Sequence, residues 1–185
     1  MNPHTRDLEL LILRDMRAKE RVSAMLAHTM ATAAEMLSAA DLSRRFIVQH
    51  GASLHSWVDR FHLGAPAQPP YIGADGLTRT RYGLPSWPHH WLEFETLGSG
   101  GHPPGELNRH PSLVRRPPRA GPIRVMDAAI WDLCEDELAQ VGGTIQVREQ
   151  WAWWGEYSVK DPVDGTEWEW CFDWGLLQRI DPASR

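Results

Sequence analysis

The sequence predicts an α+β protein in which a helical N-terminal part packs with a C-terminal helix and a long, tryptophan-rich antiparallel β-hairpin. Apolar residues recur at helical spacing over residues 5–63. Residues 144–175 instead alternate apolar and polar side chains on both sides of a turn sequence. The 185 residues are 42% hydrophobic and 23% charged, which is typical of one soluble domain spanning residues 1–185.

The first predicted element is a long helix over residues 5–40. Thr5 is a suitable N-cap, and Asp7 and Glu9 are acidic groups in the first turn, where they favour the helix dipole. A charged segment at residues 14–21 interrupts the apolar face. A continuous helix would be about 50 Å long, which is more than a small core can cover. We therefore expect either a break near this segment or packing of the helix end on a second subunit, as in a homodimer.

Two short helices complete the helical part, which spans residues 1–63. Asp41 and Ser53 are the expected N-caps, and the glycines at positions 51 and 64 are the expected stops. The first short helix is therefore predicted over residues 41–50 and the second over residues 53–63.

The middle of the chain, residues 64–122, is rich in proline, glycine and histidine, and we expect it to be largely irregular. A short strand is predicted at residues 91–97. The α+β part follows at residues 123–185, with a second short strand at 123–125 and a helix from Asp127 to Val141.

The hairpin at residues 144–175 is predicted from a turn sequence that runs from Asp161 to Thr166, with proline early and glycine late. If these two residues pair, Val159 lies opposite Trp168 and Tyr157 lies opposite Trp170. One face is then apolar and largely aromatic, and consists of Ile145, Val147, Trp151, Trp153, Tyr157, Val159, Trp168, Trp170, Phe172 and Trp174. The opposite face is largely acidic, and consists of Gln146, Arg148, Gln150, Glu156, Glu167, Glu169 and Asp173.

Charge is distributed unevenly, although the net charge is only −5. Residues 125–185 contain 13 acidic and 4 basic residues, whereas residues 1–62 and 63–124 are slightly basic. We expect no signal peptide and no membrane span, because no apolar stretch approaches the ~20 residues that a spanning helix needs. The two cysteines suit a reducing compartment, and we expect a bacterial cytoplasmic protein.

The leading functional hypothesis is a non-enzymatic binding or regulatory protein that contacts a basic protein partner through the acidic hairpin face. Trp154 shares the parity of the polar residues, which predicts an exposed aromatic side chain. The predicted partner-binding residues are Trp154, Glu156, Glu167, Glu169 and Asp173. No nucleophile, phosphate-binding, dinucleotide or zinc motif is present, so we expect neither catalysis nor a cofactor.

A first alternative is transcriptional regulation. Residues 41–63 resemble a helix-turn-helix, with two short helices around a glycine turn, and Arg44, Arg45 and Arg60 would contact DNA.

A second alternative is a metal- or small-ligand-binding protein that uses the histidine-rich loop beside the aromatic face. His89, His90 and Glu93 are the candidate ligands, because imidazole and carboxylate groups bind metals. Their spacing matches no established metal motif, and no metal is predicted.

Overall fold

The computed structural model describes residues 3–50, 53–98, 103, 105–117, 119–151 and 153–183. Over these residues the chain is a mixed α+β protein with four α-helices and two four-stranded antiparallel sheets. Among the described residues, no helix combines the length and apolar character needed to cross a membrane.

The helices are α1 (Pro3–Asp15), α2 (Lys19–His28), α3 (Ala33–His50) and α4 (Leu54–Phe61). The helix predicted over residues 5–40 thus breaks twice, at residues 16–18 inside the charged segment, as expected, and at residues 29–32, which was not expected. Ser53 is the N-cap of α4, as predicted, and its hydroxyl accepts a hydrogen bond from the Ser56 amide.

The predicted helix start at Asp41 is wrong, because this residue lies in the middle of α3. The start is instead at Thr32, whose hydroxyl accepts from the Glu35 amide at 3.1 Å. The Glu35 carboxylate accepts from the Thr32 amide at 2.8 Å, which completes a capping box. An alanine-rich segment then carries the helix through position 41.

The first sheet has the order β1 (Tyr71–Ile72), β2 (Thr78–Gly83), β3 (His90–Thr96) and β4 (Ser112–Arg115). It is formed by the region that we expected to be largely irregular. The prediction of a strand at 91–97 corresponds to β3, but the other three strands were not predicted. The sheet and the helices share one hydrophobic core, to which α1 contributes Leu8, Leu11 and Ile12, α4 contributes Trp57 and Phe61, and β3 contributes Leu92 and Phe94.

The second sheet is a meander of β5 (Thr144–Trp151), β6 (Trp154–Lys160), β7 (Glu167–Asp173) and β8 (Leu176–Pro182). Its central register is the predicted one, because Tyr157 pairs with Trp170 and Val159 pairs with Trp168. The turn between β6 and β7 is closed by the Asp161 amide, which donates to the Thr166 carbonyl at 2.8 Å. The predicted first strand of the hairpin is, however, divided into β5 and β6 by a turn after Trp151.

The predicted faces hold for β6 and β7 but not for all of β5. A β-bulge between Val147 and Glu149 leaves Arg148 without a partner residue, so the parity of the strand changes after it. Glu149 pairs with Glu156, and Trp151 pairs with Trp154, which places Trp151 on the polar face. Val147 keeps the predicted face but is 60% exposed at the sheet edge.

The predicted α-helix from Asp127 to Val141 is also wrong. The segment contains two 3₁₀-helices, Val125–Asp127 and Glu135–Gln140. Between them the chain follows β8, since the Trp131 amide donates to the Leu177 carbonyl and the Leu177 amide donates to the Leu133 carbonyl. These bonds hold a turn at residues 130–132, in which Trp131 has a positive φ of 63°, in place of an α-helix. The segment covers the inner face of the second sheet and forms a second core, which includes Val125, Leu133, Tyr157, Val159, Trp170, Phe172 and Leu177.

The turn between β7 and β8 connects the two halves of the molecule. The carbonyl of Trp174 accepts from the Leu113 amide of β4 at 2.7 Å, and that of Gly175 accepts from the Glu135 amide at 2.8 Å. Both turn residues have positive φ, 52° for the tryptophan and 78° for the glycine. A Cβ on Gly175 would lie 2.9 Å from the Leu113 oxygen, so only glycine fits this position.

Candidate ligand site

A cavity of about 340 Å³ opens where the β5–β6 turn and the β7–β8 turn meet. We call it the tryptophan pocket, because four indole rings line it. Its lining consists of Trp151, Trp153, Trp154 and Trp174 together with Arg109, His110, Pro111, Ser112, Glu135, Gln150 and Gly175.

The β5–β6 turn brings three of these tryptophans together. Trp151 and Trp154 are cross-strand neighbours, and the carbonyl of Trp153 accepts from the Trp174 amide at 2.7 Å. Trp151 is 68% exposed and Trp153 is 42% exposed, so both offer ring surface to a ligand. Exposed tryptophans concentrated beside one cavity are typical of a binding surface.

Trp174 forms the floor of the pocket. Its ring is buried, and its left-handed backbone conformation is one that tryptophan rarely adopts. The His110 ring lies 4.6 Å from it, edge to face, and 5.2 Å from Trp153. Burial lowers the pKa of His110 to about 4, so this imidazole is neutral at pH 7.

Glu135 supplies the negative charge of the pocket. Its carboxylate accepts hydrogen bonds from the Tyr157 hydroxyl and, at 3.2 Å, from the Gln150 amide. Burial raises the pKa of Tyr157, which therefore stays protonated as a donor. Both donors are neutral, and no ion pair to Glu135 is found among the described residues. The one basic residue of the pocket, Arg109, pairs with Glu95 at 2.9 Å.

A second, smaller cavity of about 230 Å³ adjoins the tryptophan pocket. We call it the apolar cavity. It shares His110, Trp153 and Trp174 with the tryptophan pocket and is otherwise lined by Leu11, Asp15, Arg44, Ile47 and Val48.

Four of the five predicted partner-binding residues are carboxylates, and each of them is ion-paired. The pairs are Glu156 with Arg179, Glu167 with Lys160, Glu169 with Arg148, and Asp173 with Arg17. The acidic face is therefore largely neutralised by basic side chains of this chain.

Two of these predicted residues are less accessible than the sequence indicates. Asp173 is buried, and burial raises its pKa to about 7. Trp154 is half-buried, since the Arg17 guanidinium stacks on its ring at 5.2 Å and its Nε1 donates to the Cys171 sulfur at 3.0 Å. It still lines the tryptophan pocket.

The three arginines predicted to contact DNA lie in different environments. Arg44 forms an ion pair with the buried carboxylate of Asp15, and Arg60 stacks on the rings of Phe46 and Phe61. Arg45 is exposed on α3.

The candidate metal ligands are not brought together. His90 is buried on the inner side of β3, and burial lowers its pKa to about 4. Glu93 lies on the other side of the strand, where it accepts from Arg81 at 2.7 Å and from the Tyr71 hydroxyl at 3.1 Å. His89 precedes the strand and is exposed. The described part of the chain contains no group of three or more histidine, cysteine or acidic side chains that could hold a metal ion.

The sequence indicated His110 only as one residue of the histidine-rich loop, and it placed Glu135 inside the predicted helix from Asp127 to Val141. Neither was predicted to lie beside the tryptophans, because they meet them only through the tertiary fold. The only hint of the pocket in the sequence was the concentration of tryptophan at residues 151–154. These tryptophans lie at the turn between β5 and β6, which the sequence pattern did not predict. Comparison with known proteins finds no family model, no curated protein and no solved structure that matches this chain.

Proposed function

We propose that the protein binds an organic cation, such as a quaternary ammonium group, in the tryptophan pocket. The observation that carries the proposal is the carboxylate of Glu135, which lines the same cavity as four tryptophans and accepts hydrogen bonds from two neutral donors, Gln150 and Tyr157. Two carboxylates close to it in the chain, Asp132 and Glu137, already have arginine partners. A cationic ligand would supply the positive charge that Glu135 lacks.

Aromatic rings and a carboxylate favour the same ligand for complementary reasons. The face of an indole ring is negative, and a cation over it gains about 0.5–2 kcal/mol, more as water is excluded. A carboxylate adds direct charge attraction, which is stronger in a partly buried site than in water. His110 is neutral at pH 7 and adds apolar surface without repelling a cation.

The proposal keeps the small ligand of the second alternative, which used the histidine-rich loop and the aromatic face, but assigns the ligand to the tryptophan pocket instead of His89, His90 and Glu93. Contact of the acidic face with a basic partner protein stays a prediction, and so do a regulatory role and a homodimer. Basic side chains of this chain neutralise that face, so docking there would first require the breaking of existing ion pairs.

The proposal is tested by titrating the purified protein with tetramethylammonium, followed by tryptophan fluorescence and calorimetry. Binding should weaken about tenfold in Glu135→Gln, which removes the charge but keeps an acceptor for Tyr157. Glu167→Gln is the matched control, because this exposed carboxylate lies in β7 and does not line the pocket. Its affinity should equal that of the wild type.

A neutral ligand of similar shape, tert-butyl alcohol, separates charge recognition from simple apolar binding. We expect it to bind much more weakly than tetramethylammonium to the wild type and equally weakly to both variants. The proposal is wrong if tetramethylammonium does not bind at millimolar concentration, or if Glu135→Gln leaves its affinity unchanged.

A further inference from the structure

We infer that the natural ligand is an amphiphilic cation, whose charged head occupies the tryptophan pocket and whose uncharged, apolar arm occupies the apolar cavity. This inference rests on the proposed function, because it assigns the head of the ligand to Glu135. The part of the ligand beyond this head is then an apolar arm, and the apolar cavity is the surface that selects it.

The two cavities lie side by side. They share His110, Trp153 and Trp174 as common walls, so a group bound against these rings borders both spaces. Glu135 lines only the tryptophan pocket, and the side chains of α3 line only the apolar cavity. A ligand that fills both would therefore meet Glu135 at one end only.

The charged groups in the lining of the apolar cavity are already paired. Its two charged residues satisfy each other, since Arg44 forms an ion pair with Asp15. The same carboxylate also pairs with Arg14 at 3.2 Å and accepts from the Trp174 indole at 3.3 Å. A second charged group on the ligand would have to compete with these contacts, whereas an apolar arm leaves them intact.

Exposed apolar side chains line the apolar cavity. Val48 on α3 is 87% exposed, and its neighbour Ile47 is half-buried. Trp153 provides a partly exposed indole ring on the opposite element. An apolar arm bound here would remove these surfaces from water, and each buried methylene would strengthen binding about fourfold.

The test uses a series of alkyltrimethylammonium ions, from tetramethylammonium through the ethyl, butyl and hexyl compounds, at concentrations below those at which they form micelles. We expect the affinity to rise about threefold to fourfold for each added methylene until the apolar cavity is filled. Val48→Asn should reduce this gain and leave the affinity for tetramethylammonium unchanged. Val163→Asn is the matched control, because Val163 is 89% exposed in the β6–β7 turn and lines neither cavity.

The outcomes separate this inference from the proposed function. If tetramethylammonium binds with dependence on Glu135 but longer chains bind no better, the apolar arm is wrong and the cation site stands. If affinity rises with chain length equally in wild type, Val48→Asn and Val163→Asn, the arm lies elsewhere and the inference is also overturned. If neither tetramethylammonium nor the longer ions bind, both proposals fail.

Discussion

Trp170 and Glu169 are adjacent in β7, and their side chains occupy opposite environments. Trp170 is fully buried in the second core, whereas Glu169 is half-buried on the polar face beside Arg148. Trp170→Ala should lower the free energy of unfolding by about 3–5 kcal/mol, because it leaves a large cavity. Glu169→Ala should change it by at most about 0.5 kcal/mol, because a surface ion pair contributes little.

Urea unfolding of the two variants, measured by circular dichroism, checks this prediction. If the two variants lost the same free energy of unfolding, or if Glu169→Ala lost more, the face assignment of β7 and the register of the sheet would be contradicted.

Single residues also mark the limits of prediction from the sequence. The register of β6 and β7 could be predicted, because a recognisable turn fixes which side chains lie opposite each other. The position of Trp151 could not, because the parity of β5 changes at Arg148. A bulge adds one residue without altering the apolar–polar pattern on either side of it, so the pattern alone places Trp151 on the wrong face.

At the scale of secondary structure elements, α2 is held at its start by a residue from the second sheet. Its N-cap, Ala18, has no side-chain acceptor. The buried Gln178 of β8 instead accepts from the amides of Arg17 and Ala18, at 3.2 and 3.4 Å, and from the Trp131 indole at 2.9 Å. Gln178 therefore connects the helical part to the second sheet.

Gln178→Leu should lower the free energy of unfolding by about 2–3 kcal/mol, because three donors lose their acceptor in a buried place. Gln146→Leu, at an exposed position of β5, is the control and should change stability by less than about 0.5 kcal/mol. Chemical denaturation of both variants gives the comparison. If Gln178→Leu lowered the free energy of unfolding as little as Gln146→Leu does, these hydrogen bonds would contribute little to stability.

Elements stabilised by local signals could be predicted, and elements stabilised by distant contacts could not. Ser53 caps α4 with its own hydroxyl, and this start was predicted from the sequence. The segment that includes Trp131 and Leu133 has helical spacing, yet backbone hydrogen bonds to β8 hold it in an irregular turn. Strand β2 alternates threonine with arginine, and its arginines pair with Glu93 and Glu95 of β3. Such a strand shows no apolar alternation to detect.

For the molecule as a whole, buried titratable groups have opposite effects on the free energy of unfolding as the pH falls. His90 and His110 have native pKa values of about 4, against an ordinary value of 6.5. Between these values the unfolded chain binds protons that the native protein does not, so both imidazoles lower stability as the pH falls. Asp173 has a native pKa of about 7, so between pH 7 and 4 its protonation favours the native state.

Variants separate these contributions. His90→Gln should make the loss of stability between pH 6.5 and 4 less steep, by up to about 1 kcal/mol per pH unit. Asp173→Asn should make the same loss steeper, because it removes the group that gains a proton in the native state. Thermal unfolding at a series of pH values measures both slopes. Parallel profiles for the wild type and both variants would contradict the burial of these groups.

The turn at Trp174 and Gly175 has a consequence for how a ligand would affect the protein. Leu113 of the first sheet and Glu135 beside the second core both donate to this turn, and the tryptophan pocket is built around it. A ligand there touches groups that come together only when the two halves are joined. Its binding free energy therefore adds to the stability of the joined state, and occupancy couples the unfolding of one half to that of the other.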